Sequence, residues 1–233
     1  MAASTATAAL RTGSVSRSGT ARIALAILMP IGPLAIAAVR GILPYTGADS
    51  NTAMAAKVAA HQGAELAVIW LTFVALLTLI PGVIALGMLA RRHSPRLGTA
   101  GLVLAYAAFA CLFWSSVAGS DTVALSAARI GLHPGTTGAL LTTLGNITPI
   151  GLGTAVFVFG HIIALVILAI ALWRGRAVPT WAAVLLAVSP VLHFIFVVVV
   201  PVQPLDALAW ALSAPGFAAA GLALAREPAG GHR

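Results

Sequence analysis

Six apolar runs of about 20 residues constrain this chain more than any other feature, because a helix of that length crosses the hydrocarbon core of a bilayer. They extend from Arg22 to Leu43, Gly63 to Ala90, Leu97 to Ala118, Thr154 to Trp173, Thr180 to Val200 and Leu205 to Ala225. Inside hydrocarbon every backbone amide must find its partner within the protein, so each run is predicted to be a helix. Of the residues, 60% are hydrophobic and 8% charged, against about a quarter charged in a soluble domain. That excludes a soluble globular fold. The expected class is all-α, a polytopic membrane protein with six transmembrane helices.

Thirteen basic residues stand against five acidic ones, and their placement gives an orientation. Arg11, Arg17, Arg22, Arg91, Arg92, Arg96, Arg174, Arg176, Arg226 and Arg233 fall at one set of helix ends, with Arg40, Lys57 and Arg129 at the other. The excess of arginine marks the first side as cytoplasmic, so both termini are predicted to be inside. No aromatic residues interleave with the arginines to stack bases, so nucleic acid is not an expected partner and the lipid bilayer is. Twelve of the basic residues are Arg and Ala is abundant. That usage suggests a GC-rich bacterial genome and hence a bacterial inner (plasma) membrane. The single Cys111 lies in an apolar run, which excludes an intramolecular disulfide or a cysteine zinc site and leaves it a packing role.

Residues 1–20, rich in Ala, Ser and Thr, read as a disordered cytoplasmic tail, residues 21–226 as the membrane domain and 227–233 as a second short tail. The first run is too long for a signal-peptide core and is expected to remain as a span. The connections at 44–62 and 119–153 are long, and both lie on the outer side in this orientation. Asp49, Ser50 and Asn51 are placed to cap a short helix leading into the second span, and His133-Pro134-Gly135 to open another before the fourth. Pro30, Pro33, Pro81, Pro190 and Pro215 remove backbone hydrogen bonds within four spans and can kink them. Gly32, Gly82, Gly87, Gly101 and Gly160 are expected to permit close helix packing. LGMLARRHSPRLGTAGLVLAY and LAIALWRGRAVPTWAAVLLAV share a helix, basic turn, helix pattern that fits a duplicated hairpin or a shared topology.

Polar candidates collect on the outer side. His161 lies seven residues into the fourth span and His193 eight residues below the outer end of the fifth, so at 1.5 Å per residue both imidazoles sit at one depth and can face each other. They could bind a ligand, or hydrogen-bond Ser189, Thr72 or a backbone carbonyl and merely stabilise packing. Two facing imidazoles could also hold a metal or a haem iron, but no third ligand accompanies them. The expected cofactor and metal are therefore none. Lys57, His61 and Glu65 recur at a spacing of four and would form one stripe on a continuous helix, either a ligand site or a solvated ladder. Asp121 and Asp206 could simply favour helix N-termini. Glu65 and Asp206 could instead converge as an acid pair for proton transfer.

The segment FGHIIALVILAIALWRGRAVPTWAAVLLAV, with Phe159-Gly160-His161 and the basic turn from Arg174 to Pro179, resembles an uncharacterised bacterial family of six-helix integral membrane proteins classed as a domain of unknown function. NTAMAAKVAAHQGAELAVIW is similar in position and character to that family's outer helix before the second span. The family's stretch has a leucine between glycine and histidine that is missing here. The resemblance covers most of residues 22–225 and implies a six-helix fold without an accepted reaction.

These readings lead to an inner-membrane protein with an outward-facing pocket between kinked helices, binding or moving a small lipophilic or amphipathic molecule. His161 and His193 would form its floor and His61, Glu65 and Asp206 its mouth, with Lys57 and Asp121 as further ligand-binding residues. One alternative is an intramembrane enzyme using Glu65 and Asp206 for acid-base work on a lipid or isoprenoid, as in small membrane-bound terpene cyclases. Another is a structural or immunity-type protein that binds a membrane partner.

Overall fold

The computed structural model describes residues 19–117 and 119–226. The readings of residues 1–18 and 227–233 as tails, and of Ala118 as the end of the third span, lie outside them. Six helices are long and apolar enough to cross a membrane: Gly19–Ile42, Gln62–His93, Pro95–Phe113, Thr148–Arg174, Thr180–Val199 and Gln203–Arg226. No strand occurs among the described residues. The chain is therefore an all-α multi-pass membrane protein, with spans close to those expected.

In chain order α1 covers 19–28 and α2 Ile31–Ile42, which together make the first span. Next come α3 (Asn51–Ala60), α4 (Gln62–His93), α5 (Pro95–Val117), α6 (Ser120–Arg129) and α7 (Pro134–Gly145), followed by α8 (Thr148–Arg174), α9 (Thr180–Phe194) and α10 (Gln203–Arg226). The turn between α1 and α2 falls at Met29 and Pro30, where proline denies the helix an amide donor. Pro81, Pro190 and Pro215 lie within α4, α9 and α10. Beyond Pro190, the last turns of the fifth span relax into a π-helix at Ile195–Val199.

The bundle is closed by close approaches at small residues. A Cβ on Gly32 would lie 2.6 Å from Cβ and 2.7 Å from Cα of Leu79, so only glycine lets α2 sit against α4 there. On the other side of the bundle, Gly101 meets Leu168 and Gly160 meets Ala108, drawing α5 onto α8. Met29, Leu79, Leu86, Phe109, Leu168, Leu186 and Phe217 fill the space between the spans. At one end, the α4–α5 and α8–α9 hairpins meet where the Ser94 hydroxyl donates to the Ala171 carbonyl at 3.1 Å. The two hairpins share the expected pattern but differ in their turns, a single Ser94 in the first and residues 175–179 in the second.

The opposite end is capped by α3, α6 and α7, which share a small core of Met54, Val58, Ala124, Leu125 and Leu141. Both short helices expected from the capping residues are present. Ser50 Oγ accepts from the Ala53 amide at 3.2 Å, and His133 Nδ1 accepts from the Gly135 amide at 3.1 Å. One expectation needs correction. α3 does not run continuously into α4, because His61 leaves helical geometry (φ −129°, ψ 44°). Lys57, His61 and Glu65 therefore do not form one stripe. Lys57 turns to Asp49 at 2.8 Å, His61 is exposed with Nδ1 on the Lys57 carbonyl, and Glu65 is buried.

Gly32→Ala forces α2 and α4 apart against backbone atoms and is expected to cost about 1–3 kcal/mol of stability. Gly63→Ala, at a site with nothing within 4 Å, should leave stability unchanged or raise it by up to about 1 kcal/mol. Thermal unfolding of both variants in the same detergent checks the contrast; equal Tm values would refute the close-packing role.

Candidate functional site

Three helices bring charge into the bundle just beneath the cap. Arg40, near the end of α2, pairs through Nε with Asp206 in the first turn of α10, and His193 of α9 meets the other carboxylate oxygen through Nδ1. The Asp206 side chain is wholly buried and that of Arg40 is 19% exposed. A buried carboxylate is costly unless paired and hydrogen-bonded, and Arg40 with His193 supplies both conditions. Trp210 Nε1 lies 2.9 Å from the same His193 Nδ1. One imidazole nitrogen cannot donate to Asp206 and accept from Trp210 at once, so the two contacts belong to alternate tautomers. The tautomer with its proton on Nδ1 fits an ionised Asp206 held by Arg40.

His161 stands next to this group. Its ring is 5.7 Å from that of His193 and tilted 54° to it, so the two imidazoles are neighbours. Its Nδ1 bonds the Phe157 carbonyl at 2.7 Å, while its ring lies nearly parallel to Phe157 (4.6 Å, 16°) and Trp210 (6.1 Å, 10°). Nε2 is buried with no hydrogen-bond partner. Ser189, a suggested partner for the histidines, instead donates to the Ala209 carbonyl at 2.7 Å.

A second polar group lies between α2, α4 and α6. Tyr45, in the loop after α2, donates its hydroxyl to Asp121 in the first turn of α6. Glu65 is fully buried beside Asp121 and couples to it electrostatically, yet neither Glu65 oxygen makes a hydrogen bond of ordinary geometry. Burial lifts Asp121 above the usual carboxylate range, opposed by the Tyr45 hydroxyl, the Arg40 charge and Glu65. Burial first, and the carboxyls of Asp121 and Glu65 next, raise the Tyr45 phenol well beyond its ordinary value. Tyr45 is thus a fixed donor. Asp49, by contrast, is held below its usual range by the hydrogen bond from Lys57.

These neighbours correct the expected acid pair. Glu65 partners Asp121, whereas Asp206 belongs to Arg40 and His193, because the first turns of α4 and α10 face different neighbours. Asp121 and Asp206 do occupy the first turns of α6 and α10, but both carboxylates are spent on side chains rather than on capping.

A cavity of about 740 Å³ opens between the cap and the spans α4, α5 and α8. Arg40, Asp121, Asn51, Ser120, Thr72 and Thr154 supply its polar lining. Phe73, Leu76, Leu141, Ile150 and Phe157 form an apolar wall. Of the residues anticipated as ligand contacts, Asp121 lines it. His161 and His193 are not its floor, His61, Glu65 and Asp206 are not at its mouth, and Lys57 does not line it. The histidines sit one layer behind, reached through Phe157, which both lines the cavity and stacks on His161.

Sequence reasoning passed over Arg40, Tyr45 and Trp210. The available signal for Arg40 was its place among three basic residues on the arginine-poor side, at the end of a span. No group of three or more His, Cys, Asp or Glu suited to a metal occurs among the described residues. No family model matches the chain, and no similar curated protein or solved structure was found.

Removing either partner of the buried pair, by Arg40→Met or Asp206→Leu, is expected to cost about 3–5 kcal/mol, and the double variant should recover most of that loss. Additive losses in the thermal or denaturant stability of the three variants would show that the pair has no mutual dependence.

Proposed function

We propose that the protein binds a small amphipathic molecule in the cavity beneath the cap. The observation that supports this reading is the cavity itself. At about 740 Å³ it falls within the range of small-molecule sites, about 300–1,000 Å³, and it combines the charged residues Arg40 and Asp121 with an aromatic and aliphatic lining. A polar head at the first and an apolar body along the second would match both surfaces. The break at Pro30 and the prolines within α4, α9 and α10 supply points about which helix groups can rock, which favours movement of the molecule as an extension of binding. Acid-base catalysis by Glu65 and Asp206 would need both carboxyls at the substrate, and neither lines the cavity. The same reading places the chain in a bacterial inner membrane with the arginine-rich hairpin turns inside and the capped end outside.

Native mass spectrometry of protein purified in a mild non-ionic detergent should show a retained species of lipid-like mass, which Thr154→Trp, filling the cavity, should displace while leaving Tm within a few degrees of the parent. A bare polypeptide mass for the parent, or a stoichiometric protein partner in its place, overturns the reading.

Orientation is tested separately. Ile130 is 80% exposed after α6, so Ile130→Cys in a Cys111→Ser background should react with a membrane-impermeant maleimide on intact cells. Arg96→Cys, at the opposite end, should react only after permeabilisation; the reverse pattern inverts the topology.

A further inference from the structure

We propose that the cavity takes an amphipathic acid, its oxyanion head held by the Nη edge of the Arg40 guanidinium that Asp206 leaves open. This rests on the reading of the cavity as a binding site and adds the chemical class of its occupant, a carboxylate or a phosphate monoester on an apolar chain.

A guanidinium spreads its N–H donors over three nitrogens and accepts nothing. Arg40 gives Asp206 its Nε, and neither Nη makes a hydrogen bond among the described residues. The donors of both Nη groups are therefore uncommitted, on a side chain that is only 19% exposed. Asp206 is wholly buried and lies outside the cavity lining, whereas Arg40 belongs to it. The edge turned away from Asp206 is thus the one available to the cavity. Paired N–H bonds from such an edge match two oxygens of a carboxylate or a phosphate, the geometry for which arginine is suited.

The pair with Asp206 prepares this edge for a ligand. His193 engages the second oxygen of Asp206, so the carboxylate is shared between two partners and does not draw the whole guanidinium to itself. Held at Nε, the guanidinium is already oriented before a ligand arrives, which lowers the ordering cost of binding. Ser116, Ser120 and Thr122 bring hydroxyl donors to the same cavity, and Phe73, Leu76 and Ile150 bring apolar surface for a chain.

Asp121 is the other ionisable residue in the lining. Its carboxyl accepts the Tyr45 hydroxyl and sits against Glu65, and burial holds it above the usual carboxylate range. It therefore opposes an anion less than a solvated aspartate would. An ammonium head would bring a second cation against the open edge of Arg40 and leave the Nη donors without an acceptor.

The test compares decanoate, decyl phosphate, decanol and decylammonium at equal free concentrations on the full chain in a non-ionic detergent, at about pH 7.5, where both acids and the amine are charged. Retained mass and thermal stabilisation are the readouts. The better of the two acids should bind about tenfold or more tightly than decanol and decylammonium, and the acid that leads tells a carboxylate head from a phosphate. Arg40→Lys keeps a cation for Asp206 but removes the paired Nη donors, and should cut the preference for the acid about tenfold; an undiminished preference puts the head elsewhere and overturns the assignment. Asp121→Asn removes the opposing carboxyl charge, so acid binding should be as strong or stronger, and a loss of binding counts against the proposal. Equal binding of all four probes, or preference for decylammonium, overturns the oxyanion assignment while leaving the cavity as a site. Failure of all four to bind, alongside a bare native mass, overturns both. The headgroup ranking is read on the unmutated protein, so it decides the matter even if neither variant folds.

Discussion

The pairing of Arg40 with Asp206 is the interaction around which the capped end is arranged. Charged groups at membrane depth are expensive, and they persist where they face the interior and find one another. Here the first span offers the cation, the last offers the anion, and His193 of the fifth completes the contact. Spans that open and close the chain are thus held side by side at one end by charge. At the other end they meet by small-residue packing, where a Cβ on Gly221 would lie 2.8 Å from the Ala26 carbonyl oxygen. Because Arg40 is oriented by this pair, its position at the cavity is fixed by the bundle rather than by any ligand.

Irregular backbone collects around that ion pair. The break at His61, the loop containing Tyr45 and the π-helix before Pro201 all lie at the capped end. Backbone that leaves regular helix must have its polar groups answered by protein when it nears a membrane. Gln203 does this directly, donating its side-chain amide to the carbonyls of Leu43 at 2.9 Å and of Tyr45. The same residue that begins α10 therefore positions the loop holding Tyr45 over Asp121. Cap, loop and ion pair are mechanically continuous, and they stand opposite two hairpins closed by short basic turns.

What the sequence made legible follows from periodicity along a helix. The spans, the break at Pro30, the caps at Ser50 and His133, the tight packing at Gly32 and Gly160 and the closeness of His161 and His193 depend on rise per residue or on local turn chemistry. Partner choice depends on how non-adjacent helices are rotated about their axes, and one chain carries little record of that. Arg40 and Asp206 are separated by 166 positions, and nothing near either one names the other. The stripe of Lys57, His61 and Glu65 misled for a different reason. Its spacing of four presumes an unbroken helix, and the break falls at His61 itself, while the nearby Gly63 lies inside α4.

The two acidic groups beneath the cap divide their roles by what surrounds them. Asp206 has a permanent cation and an imidazole, so its charge is settled within the protein. Asp121 holds the one phenolic donor, sits against Glu65, and borders the cavity. A carboxylate closed on its own partners fixes structure, whereas a carboxyl that borders the cavity can also meet an incoming molecule. His161 falls on the structural side of this division. Its Nδ1 is taken by the Phe157 carbonyl and its faces by Phe157 and Trp210, with only Nε2 unpartnered, so the histidine noticed first in the sequence backs the cavity wall through Phe157. The residue that meets the cavity is an aspartate whose position at the start of α6 gave it an ordinary helix-capping explanation.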